Sequence, residues 1–483
     1  MDLQKRIEQL EALVKTLEIT IKMQAGIIAA QAETIKELQA RLDMNSGNSS
    51  KPPSSDGYNK PAPKSLRKPS GRKPGGQPGH KGSGFKLPEK IDIVQQAAPE
   101  SCFNCEHDLT HTVGEIIETR YESDIPPIAL VAKQVNRMRM ICPECGLKNE
   151  GMFPAGMTSK FQYGANLKAF ALTLLNYGMV SLSRTEEILS GALNADICQG
   201  TLQSWVYECE QALGDTVEAI RTTVAAQPVV HNDETGFPVS GKNHWLHVSS
   251  TDKLTYITVH PKRGYEGMAH NGVLPDYTGI SVHDCFSTYF KFGCEHALCN
   301  AHLLRELTGV YEASGQQWAS ELISFLVDLK ELSASYKQQG DTGLPYDSYI
   351  EQAEIYQRIL DMGFGLNPLP ERVPGKRGRQ RKGRVRCLLE RLAEHRDKIL
   401  LFARDFRVPF DNNQAERDIR VAKVKKKVSG GARTLRGAEA FARITSFIQT
   451  ARKHGRSIFS ALLSAFCGQP EMFLLADSGG GTE

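Results

Sequence analysis

No stretch of the 483 residues approaches the roughly 18 consecutive apolar residues that a helix needs to span a bilayer. The opening residues, MDLQKRIEQLEAL, have neither the basic start nor the apolar run of a secretory leader. A strong net charge is missing too. There are 59 Lys and Arg against 55 Asp and Glu, a balance of +4, so whole-chain charge points to no partner. With 40% hydrophobic and 24% charged residues the composition is neither disordered nor collagen-like. Membrane, secreted and fibrous classes are excluded, leaving a globular chain of two to four folding units at roughly 100–200 residues each. Without an export signal, the eleven cysteines suggest metal ligation ahead of disulfides.

Residues 1–43 carry a heptad repeat, with Ile7, Val14, Ile21, Ile28, Ile35 and Leu42 at position a. Leu3, Leu10, Leu17, Gln24, Gln31 and Leu38 occupy position d. β-Branched a and Leu d positions favour a parallel dimer, the two glutamines costing stability while fixing register. The other reading is an amphipathic helix packed on its own body. Residues 44–90 are rich in Pro, Gly and Ser and hold ten Lys or Arg, Lys73 and Lys81 among them, against two acids. Such a segment is expected to be extended or disordered, either a solvated linker or a tether for phosphate backbones. In residues 91–159, Cys102-x2-Cys105 and Cys142-x2-Cys145 bracket the strand-like runs EIIETRYES and ALVAKQVNRMRM. Two such knuckles suit one tetrahedral Zn²⁺ in a zinc ribbon; four free thiols are the alternative. Residues 160–226 are helical in pattern, and NADICQG followed by Thr201 reads as a helix-turn-helix or an ordinary packed pair.

From about 227 the period changes to two. QPVVHNDET, NHWLHVSST and KLTYITVHP read as strands, followed after a link by GISVHDC. Three antiparallel strands, a connection and a fourth is the order of an RNase H-like core, here spanning 227–456 with a helical insertion at about 301–405. A C-terminal helix and tail occupy 457–483. The expected fold is thus multidomain α+β: coiled coil, zinc ribbon, helical domain, and an RNase H-like α/β core with its insertion. Asp233 and Asp284 each follow an apolar strand, and Glu416 lies in a helix that Asn412 or Asn413 could cap. If the strands are neighbours, the three carboxylates converge as ligands for two Mg²⁺ or Mn²⁺ ions, the arrangement that phosphodiester chemistry uses. Glu234 is the rival to Asp233, since neighbours on a strand face opposite sides.

The strings HNDETGFP, VHDCFSTY, CNAHLLREL, DNNQAERDIR and KKKVSGGARTLRGAEAFARITSFIQTARKHG resemble those of insertion sequence 66 family transposases. So do SSKPPSSDG, GRKPGGQPGHKG and the paired CxxC knuckles. The resemblance implies a DDE-type RNase H-like core whose acids are Asp233, Asp284 and Glu416. It also implies cleavage and strand transfer at transposon ends, DNA as partner, and a cytoplasmic, nucleoid-associated bacterial protein. Accessory transposition proteins are a further partner class of such elements. A nuclease that does not integrate and a non-catalytic DNA-binding regulator are the competing functions.

Cys294-x-His296-x2-Cys299-x2-His302 follows Asp284. Three readings stay open: His302 in the active site beside the scissile phosphate, a second zinc, or packing. Two basic runs complete the inventory. GKRGRQRKGRVR includes Arg377 and Arg379, and residues 416–456 hold twelve Lys or Arg against three acids. Arg417, Arg420, Lys425, Lys426, Lys427 and Arg433 are the DNA-binding candidates there, with Gly430 and Gly431 letting backbone approach phosphate.

Overall fold

The computed structural model describes residues 3–49, 56, 79, 90–126, 128–369 and 382–470. The heptads fold as one 40-residue helix, α1 (Leu3–Leu42). Its stripe is bare: Ile7, Leu10, Val14, Leu17, Ile21 and Ile28 are each more than half exposed. Residues 44–49 depart from the expected loose linker. Asn48 Oδ1 accepts from the Asn45 amide and Asn45 Oδ1 from the Gly47 amide, both at 2.8 Å. Small polar side chains thus satisfy the local backbone and hold a compact turn.

Around the cysteine knuckles the described residues form one short antiparallel hairpin, β1 (Arg139–Ile141) with β2 (Lys148–Glu150), and an isolated bridge between Ser101 and Asp108. The run 115–123, expected as a strand, is irregular, and only the end of 129–140 enters β1. Ile116, Ile117 and Val131 stay exposed, so no second layer rewards strand formation there. The helical block comprises α2 (Ala165–Leu172), α3 (Leu182–Leu193), α4 (Gln199–Ala212) and α5 (Gly214–Ala225). Asn194 ends α3 in the left-handed conformation, and α4 starts after Cys198 rather than at Thr201.

One mixed sheet organises the centre. Its strands are β3 (Val229–Val239), β4 (Lys242–Ser250), β5 (Thr255–His260), β6 (Ile280–His283) and β7 (Glu295–Leu298). Their order is β5-β4-β3-β6-β7, antiparallel from β5 to β3 and parallel from β3 to β7. Ser240 and Gly241, both at positive φ, make the two-residue turn between β3 and β4. After β5 comes α6 (Tyr265–His270).

A helical block follows β7: α7 (Asn300–Ser314), α8 (Gln317–Gln338), α9 (Tyr346–Leu366), α10 (Arg384–Glu394), α11 (Arg396–Ile399) and α12 (Leu401–Arg404). Its core, centred on Trp318, Leu326, Tyr356 and Leu389, is continuous with Ile280 and Val282 of β6. The chain then returns to the sheet as α13 (Asn413–Ser429) and α14 (Leu435–Lys453), and ends in α15 (Ile458–Phe466). Ala415, Ile419 and Ala422 of α13 pack on Phe237 and Val239 of β3, while Phe441 of α14 stacks on Phe237 at 5.6 Å between centroids. On its far side α14 joins α15 and the helical block through Leu202, Trp205, Ile444 and Phe447.

Candidate active site

The pleat of β3 decides which side chains can meet. Odd-numbered Phe237 and Val239 face α13, so Asp233 shares that face, whereas Val230 belongs to the core on the opposite side. The parallel register His231↔Val282, carried on by two residues, sets Asp233 level with Asp284, which directly follows β6. Asp233 itself is not at a strand end as expected: β3 continues to Val239, its outer half held by β4, and Asp233 pairs with Val248. Burial pushes the Asp233 carboxyl well above the usual range, and the negative charges of Glu234, Asp284 and Glu416 push the same way. Asp284 Oδ1 accepts the Phe286 amide at 3.1 Å, which orients the carboxylate at the loop start.

Glu234 points the other way and is fully engaged. Arg263 donates to its Oε1 from Nε at 2.9 Å and Nη2 at 2.8 Å, and Tyr289 donates to its Oε2 at 2.6 Å. The guanidinium itself lies over Phe286 and Trp245. Both oxygens of Glu234 are committed to bracing the site, while Asp233 offers a carboxylate to it.

Glu416 sits in the first turn of α13, and Asn412 fixes that turn. The expected cap does not form: the Asn412 side chain accepts no amide of α13, and Asp411 Oδ1 takes the Asn413 amide at 3.1 Å instead. Asn412 instead donates from Nδ2 to the Asn232 carbonyl at 2.8 Å, and its Oδ1 meets His231 Nδ1 at 2.8 Å. Its amide donates to Cys299 Sγ at 3.1 Å, and the Asn300 amide donates to the Phe410 carbonyl at 3.1 Å. The starts of α7 and α13 are thereby tied to each other and to β3. Sequence reasoning missed Asn412 in this role. A buried asparagine that bonds two residues of β3 through its side chain and Cys299 through its backbone has no periodic signature.

His302, in the first turn of α7, lies 3.7 Å from Glu416 through Nε2 to Oε1, too long for a hydrogen bond. Its Nδ1 and Glu416 Oε1 are buried and hydrogen-bond no described residue. Burial lowers the His302 pKa and raises the Cys299 thiol to about 12. Among the described residues, Cys299, His302 and Glu416 are the group of metal-ligating side chains whose ligand atoms all lie within 4.8 Å of one another. Neither the three carboxylates together nor the four knuckle cysteines meet that limit.

The matched regions cover most of the chain. Residues 160–440, more than half of it, match the family model described as transposase IS66 family. The chain belongs to the IS66 transposase family. Residues 2–86 match a second model, a family of unknown function (DUF6444). An uncharacterized protein, y4jD, of Sinorhizobium fredii (strain NBRC 101917 / NGR234) is 22% identical over 488 residues, covering 93% of this chain and 90% of its own.

In this IS66-family chain the remaining candidates fall into three sets. Arg417, Arg420, Lys426, Lys427 and Arg433 are exposed on or just beyond α13. Lys425 is partly covered, and burial lowers its pKa. Lys73, Lys81, Arg377 and Arg379 lie outside the described residues. Gly430 and Gly431 serve the protein's own backbone: a Cβ on Gly431 would sit 2.2 Å from the Pro238 carbonyl oxygen. Ala432 then donates its amide to that oxygen at 2.9 Å, clamping the end of α13 to β3.

The two knuckles share one turn. The Cys102 amide donates to the His107 carbonyl and the Glu106 amide to the Cys102 carbonyl; Cys142, Leu147 and Gly146 repeat the pattern. Glu106 and Gly146 both take positive φ. Amide hydrogen bonds lower the Cys102 thiol, from Asn104 and then Cys105, and the Cys142 thiol, from Cys145 and then Glu144. Cys294 is buried in an apolar cluster, and His296 bonds with His283 at 3.1 Å, so neither joins Cys299 and His302.

No helix among the described residues is long and apolar enough to cross a membrane.

Proposed function

We propose that this protein is a DNA transposase that cleaves transposon ends and joins them to a target through Asp233, Asp284 and Glu416, in an RNase H-like core. One observation supports the reading: the parallel pairing of β3 with β6 runs Asp233 level with Asp284, and Glu416 of α13 adds its negative charge at Asp233. A divalent cation suits the residues present. Asp233 bears burial and like charge that a cation would relieve, and Glu416 Oε1 is a buried acceptor without a donor among the described residues. Mg²⁺ or Mn²⁺ bound there would supply activation of the attacking oxygen and stabilisation of the leaving one.

The chain's own residues do the positioning. Arg263 and Tyr289 hold Glu234 on the far side of β3, leaving Asp233 as the β3 carboxylate open to the site. Asn412 fixes Glu416 relative to β3. The exposed Arg417, Arg420, Lys426, Lys427 and Arg433 form a cationic face suited to DNA phosphates. The matched knuckle turns support a zinc ribbon held by Cys102, Cys105, Cys142 and Cys145. The bare stripe of α1 supports a homodimer that brings two ends together.

Incubation of the protein with labelled end DNA, target DNA and Mg²⁺, followed by mapping of free 3′ ends and joined products, tests the reading. Cleavage without joined products would make it a nuclease, and binding without either would make it a regulator.

A further inference from the structure

We propose that Cys299, His302 and Glu416 form a binding site for one thiophilic divalent cation, of which zinc is the class the donors suit. The three ligand atoms lie within 4.8 Å of one another, near enough for small side-chain rotations to bring them to the roughly 3.5 Å spacing of neighbouring zinc ligands. Two of them are held on one rigid element, since Cys299 is the N-cap residue of α7 and His302 lies in its first turn. The third arrives from the first turn of α13, and that junction is fixed by the Asn412 amide on Cys299 Sγ.

The site is incomplete without a ligand. His302 Nδ1 and Glu416 Oε1 are both buried, both potential donors to a metal, and neither hydrogen-bonds a described residue. The 3.7 Å between His302 Nε2 and Glu416 Oε1 is too long for them to satisfy each other directly. Buried polar atoms normally find partners, so two unpartnered ones on side chains this close together indicate something that belongs there. Sulfur, imidazole and carboxylate together suit zinc and disfavour magnesium, and three protein ligands leave a fourth position open.

This set also replaces the grouping suggested by spacing along the chain. Cys294 and His296 are engaged elsewhere, and a carboxylate from a distant helix takes their place. A functional consequence follows, and it rests on the proposed transposase reading. Both ligand sets call on the same unpartnered oxygen, Glu416 Oε1. Zinc on Cys299 and His302 withdraws Glu416 from Asp233 and Asp284, so zinc at this site opposes the magnesium-dependent reaction.

The test uses the reduced, chelator-stripped full chain, titrated with zinc against a chromophoric chelator. The wild type should hold one more tight equivalent than Cys299→Ser and one more than His302→Gln, whatever the knuckle cysteines hold in all three. Equal zinc content in the three proteins would overturn the site. His302→Gln, being at the less buried position, keeps the comparison available should Cys299→Ser fail to fold. For the consequence, the zinc concentration that halves magnesium-driven joining should rise at least tenfold in Cys299→Ser, each protein being scaled to its own zinc-free rate. A Cys299-dependent equivalent without any joining activity would leave the zinc site standing and remove the transposase reading. Joining activity with equal zinc content would remove the zinc site alone.

Discussion

Asp233 and Glu234 are adjacent in sequence and opposite in fate, and the pleat is the whole reason. A carboxylate on the Asp233 side feels the charges of Asp284 and Glu416; one on the Glu234 side bonds to Arg263 and Tyr289. Asp284→Asn should leave DNA-end binding intact and reduce cleavage by about 10³-fold, equivalent to ~4 kcal/mol of lost transition-state stabilisation. Gel-shift and cleavage assays on one preparation check both halves. Wild-type joining by that variant would remove Asp284 from the chemistry. The raised Asp233 carboxyl makes a second prediction. Its protonated form cannot hold a cation, so a raised pKa lets protons compete with Mg²⁺ at higher pH than an ordinary carboxylate would. The Mg²⁺ concentration for half-maximal cleavage should therefore climb as pH falls. An ordinary aspartate, with a pKa of about 3.9, would leave that requirement flat across the neutral range.

Helix α13 separates what charge counting could foresee from what it could not. The basic run was legible, and so was Asp284 after the apolar strand β6. The strand end expected at Asp233 was not, because β4 pairs with β3 well beyond it. Which cations face outward was not legible, because that depends on long-range partners. Lys453 belongs to the same run, yet it donates to Asp418 at 2.6 Å and to the carbonyls of Thr251 and Leu254, with its side chain 11% exposed. Arg443 pairs with Glu210, and Arg436 stacks on Tyr207. Changing Arg420, Lys426 and Lys427 together to Ala should lower the slope of log affinity against log salt by about three, with little change in stability. Lys453→Met should do the reverse. It leaves Asp418 buried without its cation, costing about 3–5 kcal/mol in denaturant melts, while the salt slope stays unchanged. The glycines divide in the same way. Gly431→Ala, at φ 129° and against the Pro238 carbonyl, should destabilise by roughly 2–3 kcal/mol. Gly430→Ala, at φ 71° with open space around its Cβ, should cost about 1 kcal/mol.

At the scale of the whole molecule, the heptad stripe was the most readable feature, since its 3.5-residue period needs no knowledge of the rest of the fold. The junction of Cys299, His302 and Glu416 was the least readable, because it exists only after the helical block between α7 and α13 has folded the chain back. The stripe also bears on assembly. Ile7, Leu10, Val14, Leu17, Ile21 and Ile28 are 51–64% exposed along α1, and an isolated helix gains nothing by presenting them to water. A second copy in register buries both stripes at once, with Gln24 and Gln31 of the two chains facing each other in polar layers that penalise a shifted pairing. Two ends of a transposon must be processed together, so a paired protein has a use that a monomer lacks. Removing residues 1–43 should convert the protein to a monomer in sedimentation equilibrium. Joining of paired ends should fall much further than binding of a single end, because the cationic face of α13 is untouched. A truncated protein that still sediments as a dimer would put the dimer contact on the globular part and leave α1 to bind something else.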